Sequence, residues 1–332
     1  MSKIIIFVIF TLFIFGFTVF NLKKLIPVLS SRHMGQKILD IGPRWHKSKE
    51  GTPTMGGVAF IIAGIVTFLA FLLIFSSRME RRDVLLIVNT MVYGILNALI
   101  GMIDDMAKIR KKRNEGLTPT MKFTLQAVFS FVFLFTVNLS VGIDTVLKIP
   151  FTALSVDLGF IYYVILFFML VGIVNSVNLT DGIDGLASSV VFTVGVFLIC
   201  VNAFVLSSYP ITFISALLLG SSLGFLTYNF YPARVFMGDT GSLYLGGIIA
   251  ATVFLTNNVI VTLLYCFVFV LEAASDILQV GYFKLTKGKR LFKIAPLHHH
   301  FEKCGWSEIK IVTVFTVVNS IFCVIAYLGL VL

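Results

Sequence analysis

Asp104 and Asp105 close an apolar segment covering residues 84–103, and a basic run, Lys108, Arg110, Lys111, Lys112 and Arg113, follows at once. A carboxylate is costly inside a bilayer, so one set at the end of a hydrophobic segment usually has a task. Two carboxylates are hard oxygen ligands, and cations beside them complete a place that could hold Mg²⁺ and phosphate. A plain helix end, with the aspartates paired to Lys108, is the structural alternative. Neighbouring residues on a helix point about 100° apart, so one ligand is not expected to use both acids equally.

Four other stretches carry groups of the same kind. Residues 175–185 read NSVNLTDGIDG, with Asn175 first and Asn178, Asp181 and Asp184 at every third position. On a helical turn those three would share a face, and amide and carboxylate oxygens beside glycines suit a metal, ribose hydroxyls or a base edge. An Asp-Gly turn with Thr180 or Asp181 capping the next helix is the alternative. It leaves Asn175 and Asn178 at membrane depth without a purpose. Residues 228–241 combine an amide (Asn229), a cation (Arg234), an aromatic face (Phe236) and a carboxylate (Asp239) around a proline and two glycines. A base, a phosphate and a metal could all be handled there.

Residues 295–302 read APLHHHFE. The triplet His298, His299, His300 lacks the i, i+4 spacing of a helical zinc site, so phosphate contact or proton transfer suits it better. Residues 51–57, GTPTMGG, follow His46 and Lys49. They permit a tight turn whose free N–H groups suit an anion, or a plain helix entry with Thr54 as its N-cap. Glu272 and Asp276, spaced i, i+4 within an apolar segment, would share a helix face and support such a site.

Groups like these need elements to position them, and composition says which. Of 332 residues, 58% are hydrophobic and only 13% charged, about half the charged share of a typical soluble domain. Ten apolar segments of spanning length can be drawn: 3–22, 55–75, 84–103, 120–138, 158–176, 186–206, 211–228, 241–257, 259–283 and 308–330. The expected fold is therefore all-α, a single polytopic membrane domain over residues 1–332. Cys200, Cys266, Cys304 and Cys323 have no metal or redox spacing.

Most of the 26 basic residues fall in the loops 23–54, 104–122, 229–240 and 284–310, on one side of a ten-span chain. That side is expected to be cytoplasmic, with both termini outside. Every acid- and amide-bearing stretch above then faces the cytoplasm. The net charge of +10 lies between apolar segments, which points to anionic lipid and anionic substrates as partners and not to nucleic acid.

DDxxK at 104–108, NLTDGIDGLA at 178–187, FMGDTGSL at 236–243 and APLHHHFEKCGW at 295–306 resemble the phospho-N-acetylmuramoyl-pentapeptide transferases. These belong to the polyprenyl-phosphate N-acetylhexosamine-1-phosphate transferase superfamily. The resemblance covers about residues 42–306. The aspartate motifs are shared across the superfamily, whereas GTPTMGG and APLHHHFE are particular to the peptidoglycan branch. Asp276 departs from the pattern, which more often has an aliphatic residue there.

The resemblance implies a reaction in the bacterial plasma membrane: UDP-N-acetylmuramoyl-pentapeptide and undecaprenyl phosphate give lipid I and UMP, with Mg²⁺ as cofactor. It also implies a homodimer. Carried onto matching positions, Asp239 is the first Mg²⁺ ligand, Asp104 a base or nucleophile toward the lipid phosphate, and Asp105 an assisting or metal-binding acid. Lys49, Lys108 and Lys122 would neutralise phosphates, with Thr54 beside them. Asn175, Asn178, Asn229, Asp181, Asp184 and Phe236 would form the nucleoside and metal-supporting set, Phe236 stacking on uracil. His298 would be catalytic, and His299 and His300 would contact phosphate or sugar. A branch that transfers N-acetylglucosamine-1-phosphate should lack APLHHHFE. An ion-coupled transporter should show internal repeats and acids near the bilayer midplane, neither of which is visible here.

Overall fold

The computed structural model describes residues 2–31, 49, 51–111 and 116–332, the side chain of Lys111 excepted. His46, Lys112, Arg113 and the basic residues at 32–47 lie outside the described residues. Thirteen α-helices are described: α1 (Lys3–Ser31), α2 (Val58–Phe75), α3 (Arg81–Lys111), α4 (Pro119–Ser140), α5 (Phe160–Thr180), α6 (Leu186–Val201), α7 (Tyr209–Asn229), α8 (Gly238–Ala251), α9 (Val253–Thr256), α10 (Val259–Tyr265), α11 (Phe267–Leu285), α12 (Leu297–Lys303) and α13 (Glu308–Val331). A single small hairpin among the described residues, β1 (Val146–Lys148) antiparallel to β2 (Ser155–Asp157), joins α4 to α5. The protein is an all-α polytopic membrane protein.

Nine described helical stretches are long and apolar enough to cross a membrane, with α8 and α9 counting as one. A tenth is reached only if α10 and α11 are taken together, and these are bent by 86°. The straight span expected at 259–283 is thus broken at Cys266. The second difference is at α3, which does not stop at residue 103. No glycine or proline interrupts it there, and Lys108 pairs with Asp104 one turn away, so the helix runs on to Lys111 and carries both aspartates on its wall.

Side-chain caps set several of the helix starts. Thr118, Ser208, Asn258 and Ser307 each accept the backbone N–H three residues on, and Pro119 and Pro210 stand in first turns where no N–H is needed. Helices α7 and α8 form the centre, and α8 is buried on every face from Thr240 to Ala251. Close approach there depends on small residues, as expected where lipid provides no hydrophobic drive between helices. At Gly220 of α7 an added Cβ would lie 2.7 Å from the Cβ of Ile14 on α1. The outer helices turn Leu73, Phe131, Phe160 and Phe168 outward, as a lipid-facing surface requires.

Candidate active site

The C-terminal ends of α3, α5 and α7 and the N-terminal ends of α4, α8 and α13 meet at one end of the bundle, where the acid-bearing stretches gather. At Gly101 of α3 an added Cβ would lie 2.1 Å from the Asp239 carbonyl oxygen. Only glycine lets α3 lie this close to the start of α8. One turn later, the Asp105 carboxylate accepts the backbone N–H groups of Asp239 (3.2 Å) and Thr240 (2.9 Å) and the Thr240 hydroxyl (2.7 Å). Asp105 therefore caps α8 from a different helix, satisfying N–H groups that the helix leaves open and favoured by its dipole.

Asp104 is 1% exposed and Asp105 3%. Asp104 Oδ1 accepts the Leu117 N–H at 2.7 Å, and its Oδ2 lies 2.6 Å from Lys108 Nζ and 3.6 Å from Lys122 Nζ. Asp239 Oδ2 accepts from Lys108 (2.9 Å) and Lys122 (2.6 Å), while Oδ1 accepts from Asn178 Nδ2 (2.9 Å). Asn178 also donates to Ser242 Oγ at 2.8 Å, which ties the end of α5 to α8. Asp104, Asp105 and Asp239 each place one carboxylate oxygen within 4.8 Å of the others. Such a hard oxygen set fits a divalent cation.

Asp181, in the turn after α5, adds to the negative charge. Removal from water pushes its carboxyl well above the usual carboxylate range, and the charges of Asp239, Asp105 and Asp184 push the same way. The expected helical face of Asn178, Asp181 and Asp184 does not form, because α5 ends at Thr180 and Gly185, at φ 78°, opens α6. Asp184 turns away from the triad. Its Oδ1 accepts from Lys49 Nζ at 2.7 Å and its Oδ2 from the Ala233 N–H at 2.8 Å. Lys49 Nζ also meets Glu308 Oε2 at 2.6 Å, and the Asp184 N–H donates to that same oxygen at 3.0 Å.

The remaining expected residues separate into braces and a lining. Asn229 is a brace: it accepts the Gly185 N–H (3.1 Å) and donates to the Val235 carbonyl (3.0 Å), joining the 181–185 and 230–237 loops. Asn175 is turned into the bundle, donating to Gln126 Oε1 at 2.8 Å. Segment 53–57 pairs with 236–237 through the backbone: Phe236 N–H to the Pro53 carbonyl, Gly56 N–H to Phe236 and Gly57 N–H to Met237. This turn is a brace for the Asp239 loop, and Thr54 is not the N-cap of α2, which begins after Gly57. Phe236 is half-buried at its edge. Thr54 Oγ1 and Asp105 Oδ2 converge on Gly238, where an added Cβ would be 2.9 Å from the first and 2.6 Å from the second. Arg234 lies over the Tyr228 ring at 4.4 Å and donates to the Thr227 carbonyl, so its charge is directed along α7.

The three histidines have different surroundings. His298 is fully buried. Its Nδ1 lies 3.0 Å from Glu272 Oε2, its backbone N–H donates to Glu272 Oε1, and its Nε2 points at Gly182 with no hydrogen-bond partner among the described residues. His299 Nδ1 is 2.6 Å from Glu302 Oε2. His300 Nδ1 accepts the Lys293 N–H at 3.1 Å, and its Nε2 lies 3.7 Å from Cys304 Sγ, so both ring nitrogens face the loop around them.

Known proteins match this chain along almost its whole length. The model of glycosyl transferase family 4 matches residues 85–257, and phospho-N-acetylmuramoyl-pentapeptide-transferase signature 1 matches residues 49–61. The phospho-N-acetylmuramoyl-pentapeptide-transferase of Clostridium acetobutylicum is 42% identical over 318 residues, covering 96% of each chain. The chain belongs to the phospho-N-acetylmuramoyl-pentapeptide-transferase family. Family proteins so named from Listeria welshimeri (43% identical, 94% of each chain) and Staphylococcus haemolyticus (45% identical, 88% of this chain and 89% of the relative) agree.

The transferase signature at 49–61 spans both Lys49, held by two carboxylates, and the 53–57 brace behind Asp239. Glu308, which holds Lys49 and the Asp184 N–H, is a contact that sequence reasoning missed. Following Ser307 at a helix start, it reads as an ordinary first-turn acid, and nothing local to it indicates that Lys49 lies 259 positions away in the chain.

Proposed function

We propose that this chain transfers phospho-N-acetylmuramoyl-pentapeptide from its UDP-linked donor to undecaprenyl phosphate, forming lipid I and UMP at the cytoplasmic face of a bacterial plasma membrane. Family membership supports the reaction. The observation that carries the residue assignments is Asp239, which lies between two lysines and two further aspartates where six helix ends converge.

An oxygen of the lipid phosphate attacks the sugar-side phosphorus of the donor pyrophosphate, and the bond to UMP breaks. Both reactants are anionic, so charge neutralisation and positioning are the main contributions a protein can make. Lys108 and Lys122 supply cations at the point of attack. Asp104 orients the incoming phosphate through the shared lysines and takes its proton where it carries one. Asp239 anchors both lysines and would be the first ligand for Mg²⁺, with Asp104 and Asp105 next. When bound, Mg²⁺ would draw charge from the pyrophosphate as UMP departs.

Asp105 acts chiefly by fixing Asp239. Lys49, Asp184, Asp181 and Phe236 line the side toward 181–185, where the nucleoside would lie, Asn229 braces it, and His298 closes it. Asn175 and Asn178 stabilise the wall beneath. His299 meets the phosphate or sugar, and His300 holds the 290–296 loop. The chain forms one polytopic unit over residues 1–332, with both termini outside because the described cations Lys49, Lys108 and Lys122 lie at the site end. The assembly implied by the resemblance is a homodimer.

The test uses the purified full chain in detergent with undecaprenyl phosphate and Mg²⁺, and measures UMP release from UDP-N-acetylmuramoyl-pentapeptide and from UDP-N-acetylglucosamine. Turnover of the first is expected. Turnover of the second alone would assign the chain to another superfamily branch.

A further inference from the structure

The 86° bend between α10 and α11 interrupts helical backbone hydrogen bonding in a helix pair apolar enough to cross a membrane, and in such a segment freed groups must find partners within the protein. One side chain serves both sides of the break. Asn319 of α13, fully buried, donates from Nδ2 to the Tyr265 carbonyl at the end of α10 (3.0 Å), and its Oδ1 accepts the Val268 N–H at the start of α11 (3.1 Å). Nδ2 also donates to Thr193 Oγ1 on α6 at 2.7 Å. The amide thus acts as an N-cap supplied by another helix, and it is held in orientation by a third.

The direction of α11 matters to the site. Glu272 lies four residues after Val268, one helical turn on, and both of its carboxylate oxygens hold His298. Next to His298, an added Cβ at Gly182 would fall 2.2 Å from Nε2, so a small swing of α11 would move the imidazole relative to the 181–185 loop.

We propose that Asn319 is a positioning residue for the transfer reaction: by clasping the α10–α11 break it sets the direction of α11 and so the placement of Glu272 and His298. This rests on the reading of His298 as part of the site. Asn319→Leu removes the clasp. Asn319→Asp keeps the acceptor for Val268 but loses the donors, and serves if the leucine variant does not fold. Each variant is compared in UMP release with Glu272→Ala, His298→Ala and the Asn319/Glu272 double variant, with thermal midpoints recorded alongside.

The expected result is a fall in kcat on the order of tenfold to a hundredfold with the KM for the UDP-linked donor within about twofold, the pattern of a displaced catalytic group. In the Glu272→Ala background the loss should largely vanish, because both changes release the same histidine. Losses that multiply would mean a general packing role and would overturn the proposal, as would full kcat in both Asn319 variants. If His298→Ala keeps its rate, the reading of His298 fails. If it loses its rate while both Asn319 variants keep theirs, only the clasp fails.

Discussion

The Asp105 carboxylate accepts both the backbone N–H and the hydroxyl of Thr240, at 2.9 and 2.7 Å, across 135 positions of chain. This contact gives one of two adjacent aspartates a structural part, as a cap on α8. Asp105→Ala leaves buried donors at the start of α8 open, at a cost of about 1–3 kcal/mol, and loosens Asp239. Thermal melting should show a lowered midpoint together with lost UMP release. Asp104→Asn keeps an acceptor for the Leu117 N–H, so its midpoint should stay near that of the parent while its rate falls.

Asp239 is where the two lysines and Asn178 converge. Asp239→Asn should lower kcat at least about 10²-fold, the scale seen when a preorganised electrostatic group is removed. Initial-rate measurements at saturating substrates would check this. A rate within about threefold of the parent would remove Asp239 from the centre of the site.

The histidine triplet should divide in function. His298→Ala is expected to lower kcat strongly, and His300→Ala only slightly, because its ring nitrogens face Lys293 and Cys304. Gly182→Ala gives an independent check, since its new Cβ would meet His298 Nε2. It should reduce activity without replacing any ionisable group.

The raised Asp181 carboxyl predicts a dependence of stability on pH. An acid whose folded value lies above the unfolded one costs stability as pH rises past the ordinary carboxyl value of 3.8, because folding then disfavours its ionised form. In metal-free buffer, Asp181→Asn should therefore raise the thermal midpoint at pH 7, and the gain should fade as pH drops below that value. Activity should fall in the same variant, as expected where a site is held together against its own charge. An unchanged midpoint at pH 7 would show that Asp181 is relieved by other means.

Much of this molecule was legible in the chain. Long apolar runs can satisfy their backbone in lipid only as helices, so the segments and their approximate ends follow from hydropathy alone. The acid and amide motifs also mark their own positions, because such groups are expensive beside a membrane. Local sequence does not determine which of them meet. Asp104 and Asp105 look alike in sequence, but on α3 they point in different directions, and the packing of α8 makes one a cap and leaves the other facing the lysines. Segment 51–57 could form an anion turn by itself, and pairing with 236–237 makes it a brace instead. Glu308 reads as a first-turn acid until Lys49 is brought to it. The break at Cys266 carries no proline or glycine to announce it, and it is stabilised by Asn319 from another helix. These decisions belong to tertiary structure because each depends on partners 50 or more positions away, and buried polar groups take whatever partner the packing supplies.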